Sequence, residues 1–203
     1  MPDSDGTRRA RRVLLCAAGG FQAYSLPGFV LALLKHVADD VQVVLSRAAA
    51  GMVSRYALEV ATRHPVFIEM SDFGDGVYVP HIELSRGADF ILVYPATANI
   101  LGKVAQGIAD ELISALIIAA EVPVFFVPIM NPSMWRHPSV QRNARTLESD
   151  GYTVLPLIEN IEIATREGLE EAGESFPLPT LLLRLQAAVA GSARGSVQRQ
   201  NNV

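Results

Sequence analysis

Two polar side chains in this sequence have types and settings that suit chemistry on a substrate. His81 comes just before a predicted helix, and histidine is the usual general base near neutral pH. A single histidine is more often structural or merely exposed, so the role of His81 stays open at this point. No pair of histidines shows metal-ligand spacing on a helix face, and we therefore expect no metal site.

The second side chain, Asn131, lies in a loop that follows an apolar run. The loop, residues 128–135, also contains Met130, Met134 and Trp135. Apolar walls around one amide form a pocket in which the amide can bind a carboxylate. The same composition also suits a loop whose methionine and tryptophan side chains fill the core, and the pattern does not decide between the two.

Small residues at the end of the first apolar run suit phosphate binding. Gly19 and Gly20 follow this run, and Phe21 comes next. Glycines at such a turn let backbone N–H groups approach an anion at a helix N-terminus. Ser46, at the end of the second apolar run, is the natural second phosphate contact. A tight turn without a ligand and a helix cap at Ser46 are the alternative interpretations.

A third segment of small residues leaves room for a flat ring to lie close to the backbone. It follows the third apolar run and consists of Pro95, Ala96, Thr97, Ala98 and Asn99. Thr97 and Asn99 offer hydrogen bonds to the polar edge of a ring. The segment equally suits an ordinary strand-to-helix turn that Thr97 or Asn99 caps.

The elements that must position these residues alternate along the chain. Continuous apolar runs, separated by segments with helical spacing, indicate a parallel sheet covered on both faces. We predict a single-domain α/β protein with a doubly wound, Rossmann-like and flavodoxin-like parallel sheet, which binds its ligand at the carboxyl ends of the strands. The predicted strands are 13–17, 41–45, 90–94, 124–127 and 153–157, and the predicted helices are 26–37, 50–62, 100–108, 110–120 and 139–149.

Composition and the chain ends limit the class of protein. A net charge of -4 argues against a nucleic-acid surface, and the single cysteine, Cys16, excludes a disulfide framework and a Cys-cluster metal site. We find no secretory signal, and no apolar stretch suits a membrane span, so we expect a cytoplasmic protein. Residues 1–12 and 191–203 are polar, which predicts disordered tails around a domain at 13–190.

Together, the segments resemble the homo-oligomeric flavin-containing cysteine decarboxylases over roughly residues 12–187. This family includes phosphopantothenoylcysteine decarboxylase and the epidermin-type peptidyl-cysteine decarboxylases of lanthipeptide biosynthesis. Residues 95–99 and the helix after them resemble the family's PASANT stretch, with Ile100 in place of its threonine. Residues 128–135 fit the motif PxMNxxMW at each fixed position, and His81 has the spacing of the family's active-site histidine.

The resemblance implies FMN as the cofactor, with FAD as the alternative, and gives the residues roles. His81 would act as the base while the flavin oxidises the substrate cysteine, and Asn131 would bind the cysteine carboxylate. Met134 and Trp135 would also contact the substrate. The implied flavin contacts are Gly19, Gly20, Phe21, Ser46, Pro95, Ala96, Thr97, Ala98, Asn99 and Met130.

One departure from the family bears on the substrate. Phosphopantothenoylcysteine decarboxylases carry a late flap whose cysteine returns a proton, whereas residues 160–179 of this sequence contain no cysteine. A protein without that thiol would stop at the oxidised aminoenethiol. We therefore expect an enzyme of ribosomal-peptide (RiPP) modification that decarboxylates a C-terminal cysteine. Phosphopantothenoylcysteine decarboxylation in coenzyme A biosynthesis and a non-catalytic, flavin-binding regulatory role are the alternatives.

The resemblance also implies partners. Members of the family form homotrimers and assemblies of trimers such as dodecamers, so we expect a homo-oligomer. Its substrate partner would be a precursor peptide that ends in cysteine, and the segment 160–179 would close over that peptide as a flap.

Overall fold

The strands in the described part of the chain lie parallel in one sheet. The computed structural model describes residues 10–73, 76–155, 179–183 and 185–187. The predicted doubly wound parallel sheet is confirmed, and the strand order β2-β1-β3-β4-β5 is the flavodoxin-like one. The strands are β1 (Ala10–Ala17), β2 (Ala38–Leu45), β3 (Phe90–Ala96), β4 (Val124–Pro128) and β5 (Thr153–Val154).

Helices connect these strands across both faces of the sheet. Residues 179–183 and 185–187 are helical as well. Of the helices described, none has the length and apolar character needed to cross a membrane. They are a 3₁₀ helix (Phe21–Ser25), α1 (Leu26–His36), α2 (Arg47–Ala50), α3 (Arg55–Thr62), α4 (Pro80–Arg86), α5 (Ala98–Ala105), α6 (Leu112–Ile118), α7 (Pro132–Arg136) and α8 (Pro138–Ser149).

Side chains of the central strands alternate between two apolar cores. In β1, Val13 and Leu15 face the core that contains α1, α3 and the helical segment near the C-terminus. Leu14 and Cys16 face the opposite core, which contains α4, α5, α6 and α8. Because both faces are covered, β3 and the part of β1 from Val13 onward are apolar without interruption, as the sequence pattern predicted. Cys16 is fully buried, as expected of a small apolar residue.

Several predicted element boundaries are wrong, and three of them have a clear local cause. The single helix predicted at 50–62 is two helices, α2 and α3, because Ser54 begins a new helix by accepting a hydrogen bond from Ala57 N–H at 3.2 Å. β1 begins at Ala10 rather than Val13, since the polar start of this strand pairs with β2. α5 begins at Ala98 rather than at 100, because Thr97 caps it. The predicted flap, up to residue 178, lies outside the described residues.

Candidate functional site

The loops that follow β1, β2, β3 and β4 meet at the carboxyl edge of the sheet. Backbone hydrogen bonds hold them together: Ala18 donates to the carbonyl of Pro95 at 3.2 Å, and Ile129 donates to the carbonyl of Ala96 at 2.9 Å. Ser46 donates its N–H to the end of β1 at 2.9 Å. The candidate site is therefore built on neighbouring strands whose relative positions the sheet fixes, as a precise binding site requires.

A cavity of about 660 Å³ opens between these loops. Its walls come from residues 18–22, 46–48, 97–100 and 129–131, with side chains from α5, α6 and α7. The cavity lies where the chain crosses from β1 to β2 on one side and to β3 on the other, which is the usual ligand position in a doubly wound sheet. Its volume is that of a pocket for a cofactor-sized molecule.

Close backbone contacts explain the two glycines after β1. A Cβ atom on Gly19 would overlap the Cβ of Ala48 in α2, and one on Gly20 would lie 3.1 Å from the ring of Pro95. Gly20 N–H donates to the carbonyl of Ala18 at 2.8 Å, which closes a tight turn. Both interpretations of this segment therefore apply, because the tight turn itself forms a wall of the cavity.

Ser46 and Thr97 act as helix caps and line the cavity as well. The hydroxyl oxygen of Ser46 accepts a hydrogen bond from Ala49 N–H at 3.1 Å, so the hydroxyl hydrogen is left to donate elsewhere. Thr97 caps α5 with its hydroxyl 3.5 Å from Ile100 N–H. Capping fixes both hydroxyl groups at the edge of the cavity.

Asn131 lines the cavity at the start of α7. Its side-chain oxygen accepts a hydrogen bond from Ser133 N–H at 2.7 Å. The amide nitrogen carries two N–H donors, which are the kind of group that binds a carboxylate. Met130 and Met134 also line the cavity. Trp135 packs against the core and does not line the cavity. Met130 and Met134 thus fit the predicted pocket, whereas Trp135 fits the alternative, a side chain that fills the core.

His81 does not line the cavity. It is the second residue of α4 rather than a residue before the helix, and its ring nitrogen Nδ1 is buried with no hydrogen-bond partner among the described residues. Because α4 runs back toward the start of β3, its first turn lies at the carboxyl edge of the sheet. Pro95 and Ala96 are also outside the cavity wall, since both are buried in β3.

Charged side chains of opposite sign also line the cavity. Lys103 forms ion pairs with Glu111 at 2.8 Å and Asp110 at 2.9 Å. The hydrogen bonds to Glu111 and then to Asp110 raise the pKa of Lys103, so it stays protonated. Arg47 donates to Glu69 at 2.8 Å. Each of these cations already has a carboxylate partner, which weakens it as an anchor for a further anion.

The sequence pattern did not identify Gln22 as a cavity residue, although it lines the wall beside Gly20 and Phe21. Its side chain is 9% exposed, and its Oε1 atom is buried without a hydrogen-bond partner among the described residues. The signal in the sequence was a polar side chain between small and apolar residues in the turn after β1. Arg47 and Glu111 were missed because nothing in the sequence distinguishes them from the other charged residues.

The cavity suits a flavin. Glycines and alanines bring the backbone to its surface, Ser46 contributes to its wall, and a buried polar atom of Gln22 lacks a partner among the described residues. These are features of a site that holds a phosphate and a flat, hydrogen-bonding ligand at the strand ends of an α/β sheet. The fold and the cavity define the class of flavin-binding α/β proteins.

The chain belongs to the flavoprotein family, whose profile matches residues 3–174. Among solved structures, it is similar to the FMN-dependent cysteine decarboxylase SpaF, with 31% identity and a TM-score of 0.67, covering 80% of this chain and 97% of that chain. It is also similar to MrsD from a Bacillus species, with 26% identity and a TM-score of 0.72, covering 88% of this chain and 96% of that one.

Curated relatives belong to coenzyme A biosynthesis. The chain is 37% identical to the bifunctional protein CoaBC of Bacillus subtilis over 142 residues, which is 70% of this chain and 35% of that protein. It is 33% identical to CoaBC of Mycobacterium bovis over 188 residues, or 91% of this chain and 44% of that protein. The chain thus spans less than half the length of the curated relatives it matches.

These similarities confirm the predicted fold and support the predicted cofactor and class of enzyme. The flavoprotein family and the FMN-dependent decarboxylases among the similar structures support FMN as the cofactor. The chain has the fold of flavin-dependent cysteine decarboxylases, and this similarity supports an enzyme. Relatives that act in coenzyme A biosynthesis and structures named as cysteine decarboxylases both match the chain, so the similarities are consistent with either a peptide or a pantothenoyl substrate.

Proposed function

We propose that this protein catalyses the FMN-dependent oxidative decarboxylation of a C-terminal cysteine on a precursor peptide. The observation that carries the proposal is the Asn131 amide, which the α7 cap holds at the wall of a flavin-sized cavity. A C-terminal cysteine offers the carboxylate that such an amide binds. The cavity wall supplies no unpaired cation among its described residues, so a neutral donor is the group that would hold the carboxylate there.

The placement of FMN is inferred from the chemistry of the walls. The phosphate would lie beside Ser46 and the Gly19–Gly20 turn, and the ring against Thr97, Ala98 and Asn99. FMN held there would supply the two-electron oxidation of the substrate cysteine that allows the carboxylate to leave as CO₂. The role of this chain is to bind the carboxylate at Asn131, to exclude water with Met130 and Met134, and to accept the thiol proton.

The cysteine content of the chain favours the oxidative reaction. A non-oxidative outcome needs a second thiol that returns a proton to the product. Cys16 is the one cysteine of the sequence, and it is fully buried in β1, away from the cavity wall. Burial raises the pKa of its thiol well above the usual value, so Cys16 is neither placed nor ionised to serve in that step.

Phosphopantothenoylcysteine is the second candidate substrate, and the 37% identity to CoaBC of Bacillus subtilis favours it. This substrate also presents a cysteine carboxylate, so Asn131 would bind it in the same way. The two candidates differ in the group attached to the cysteine nitrogen, which is a peptide chain in one case and a pantothenoyl chain with a phosphate in the other.

Mass spectrometry of both reactions tests the proposal. Purified protein with bound FMN would be incubated separately with a peptide ending in cysteine and with phosphopantothenoylcysteine. We expect the peptide to lose the mass of CO₂ and two hydrogens, and the same peptide ending in serine to stay unchanged. Turnover of phosphopantothenoylcysteine with loss of CO₂ alone, and no change in any peptide, would refute the peptide assignment.

His81 is the proposed base, and because it does not line the cavity of its own chain we propose that a second chain brings it to the substrate. Exposed apolar side chains precede it in the chain, and Phe73 and Tyr78 are each more than 70% exposed. Phe21 and Met134 are exposed at the cavity. Self-association that buries these two patches against each other would place His81 of one chain at the cavity of the next.

Replacement of His81 by asparagine tests its role. A general base typically contributes about 10²- to 10⁴-fold, so H81N should lower kcat by that factor while FMN binding stays unchanged. H36N, at the exposed end of α1, is the matched control and should turn over at the wild-type rate. A wild-type rate in H81N would exclude His81 as the base.

Mixing inactive variants tests whether two chains build the site. If His81 and Asn131 of one site come from different chains, co-expression of H81N with N131D should restore about a quarter of the wild-type activity, because some sites then combine two intact residues. Each variant expressed alone should stay inactive. No recovery in mixed oligomers would mean that one chain supplies both residues.

A further inference from the structure

Gln22 is a buried amide that the roles assigned above do not use. It lies in the 3₁₀ helix after the Gly19–Gly20 turn, lines the cavity, and is 9% exposed. Its Oε1 has no hydrogen-bond partner among the described residues. A buried carbonyl oxygen without a donor is costly, and a native protein tolerates it where a ligand supplies the donor.

The position of Gln22 indicates which part of a ligand it faces. Along the chain it lies two residues from Gly20, in the proposed phosphate turn, and the 3₁₀ helix packs against β3. The Pro95 ring is the closest neighbour of a Cβ placed on Gly20, which puts the turn beside the proposed ring segment. FMN placed as proposed would therefore bring the chain that joins its phosphate to its ring next to Gln22.

We propose that Gln22 binds a hydroxyl group of the ribityl chain and so makes the site selective for ribityl flavins. The ribityl chain carries hydroxyl groups, each of which can donate a hydrogen bond to the buried Oε1 atom. The isoalloxazine ring would bind without this contact. The inference rests on the proposed placement of FMN and concerns recognition of the cofactor rather than the choice of substrate.

The test compares three flavins on one variant. Binding of FMN, riboflavin and lumiflavin, which has the ring but no ribityl chain, would be measured by quenching of flavin fluorescence with wild-type protein and with Q22M. We expect Q22M to weaken FMN and riboflavin by about 3- to 10-fold, which is the effect of one lost neutral hydrogen bond. Lumiflavin affinity should stay unchanged, because this ligand never made the contact.

The matched control is another buried glutamine. Gln42 lies in β2, and its amide donates to the carbonyl of Pro65 at 2.6 Å, outside the cavity wall. Q42M should leave all three affinities unchanged. Because the three flavins are compared on the same variant, a general loss of folded protein cancels in their ratios. Should Q22M not fold, Q22N, which withdraws the amide by one methylene, should show the same selectivity pattern.

Other outcomes would overturn the inference. An equal loss for all three flavins would make Gln22 a contact of the ring or a structural residue. Unchanged flavin affinities with a raised KM for peptide would assign it to the substrate. A wild-type protein that binds no flavin would remove both the placement of FMN and the role of Gln22. Selective loss of ribityl flavins without any peptide turnover would instead retain the Gln22 contact and reject the proposed reaction.

Discussion

At the scale of single residues, the site uses one side chain for two tasks. Asn131 stabilises the first turn of α7 through its oxygen and also lines the cavity, where its nitrogen is the proposed carboxylate donor. Aspartate caps a helix as well as asparagine does, but it has no N–H donors and carries a negative charge at neutral pH. The two tasks of Asn131 can therefore be separated by exchanging one atom of its side chain.

We predict that N131D is as stable as the wild type but binds the substrate much more weakly. The thermal midpoint should stay close to that of the wild type because the cap is retained. Binding of a peptide ending in cysteine, measured by isothermal titration, should weaken at least about 100-fold because two carboxylates then face each other. The same peptide with an amidated C-terminus is the control, and it should bind both proteins equally. Equal affinity of both proteins for the free acid would remove Asn131 from carboxylate binding.

Ser46 combines capping with a proposed phosphate contact, which makes a similar exchange informative. S46D should still cap α2, but its charge should repel the phosphate. We expect the affinity for FMN to fall at least about 10-fold more than the affinity for riboflavin, which lacks the phosphate. S54D is the matched control, since Ser54 caps α3 in the same way outside the cavity wall. An equal loss of both flavins in S46D would place the phosphate elsewhere.

At the scale of elements, close packing between β1 and α2 fixes the shape of the cavity. Gly19 touches Ala48 so closely that any side chain on Gly19 would displace the α2 turn or the β1 loop. Gly28 lies in the first turn of α1, and a Cβ atom there would meet nothing within 4 Å. The two glycines therefore allow a comparison between a change inside the site and a change outside it.

We predict opposite effects of alanine at these two positions. G19A should lose about 1–3 kcal/mol of unfolding free energy through overpacking, and it should bind FMN more weakly because the loop moves. G28A should gain up to about 1 kcal/mol, since alanine favours a helix, and should bind FMN as the wild type does. Urea unfolding and flavin titration measure both quantities. A G19A protein with wild-type stability would show that the β1 loop and α2 move apart to accommodate the Cβ atom without loss of stability.

The sequence predicted those elements of the fold that local residue patterns determine. Continuous apolar runs predicted the central strands, and small residues after β1 and β3 predicted cavity walls, because backbone sterics act locally. The place of His81 was not predictable, since it depends on how α4 packs against α6. Gln22 was missed for the same reason, because its burial comes from the packing of the 3₁₀ helix against β3.

At the scale of the whole molecule, the two edges of the sheet have different tasks. The carboxyl edge holds the cavity, whereas polar groups at the opposite edge connect the starts of the strands. There, Asp40 of β2 accepts hydrogen bonds from Arg12 of β1 at 2.6 Å and from His64 after α3 at 2.7 Å. Asp89 accepts a bond from the N–H of Arg12 at 3.0 Å. Changes at this edge should alter stability without altering the site.

The Asp40 cluster makes the stability of the protein depend on pH. Partial burial raises the pKa of Asp40, but hydrogen bonds from Arg12 and His64, together with their charges, outweigh burial and hold the pKa below its usual value. An aspartate with a lowered pKa stabilises the folded state above its unfolded pKa of about 3.9 and loses this effect as pH falls through the folded value. Because Asp40 and Arg12 are partly exposed, screening limits the contribution to about 1 kcal/mol.

We predict that D40N lowers the unfolding free energy by about 1 kcal/mol at pH 7, and that the difference from the wild type disappears as pH falls below about 4. Urea unfolding at several pH values measures this difference. Flavin affinity at pH 7 should be unchanged, because the cluster and the cavity lie at opposite edges of the sheet. R55Q is the control: it removes an exposed pair four residues apart in α3 and should cost no more than about 0.5 kcal/mol at either pH. A D40N protein that loses flavin affinity while folded would show that the amino edge acts on the site through the strands, and that stability and cofactor binding are not separate properties of this sheet.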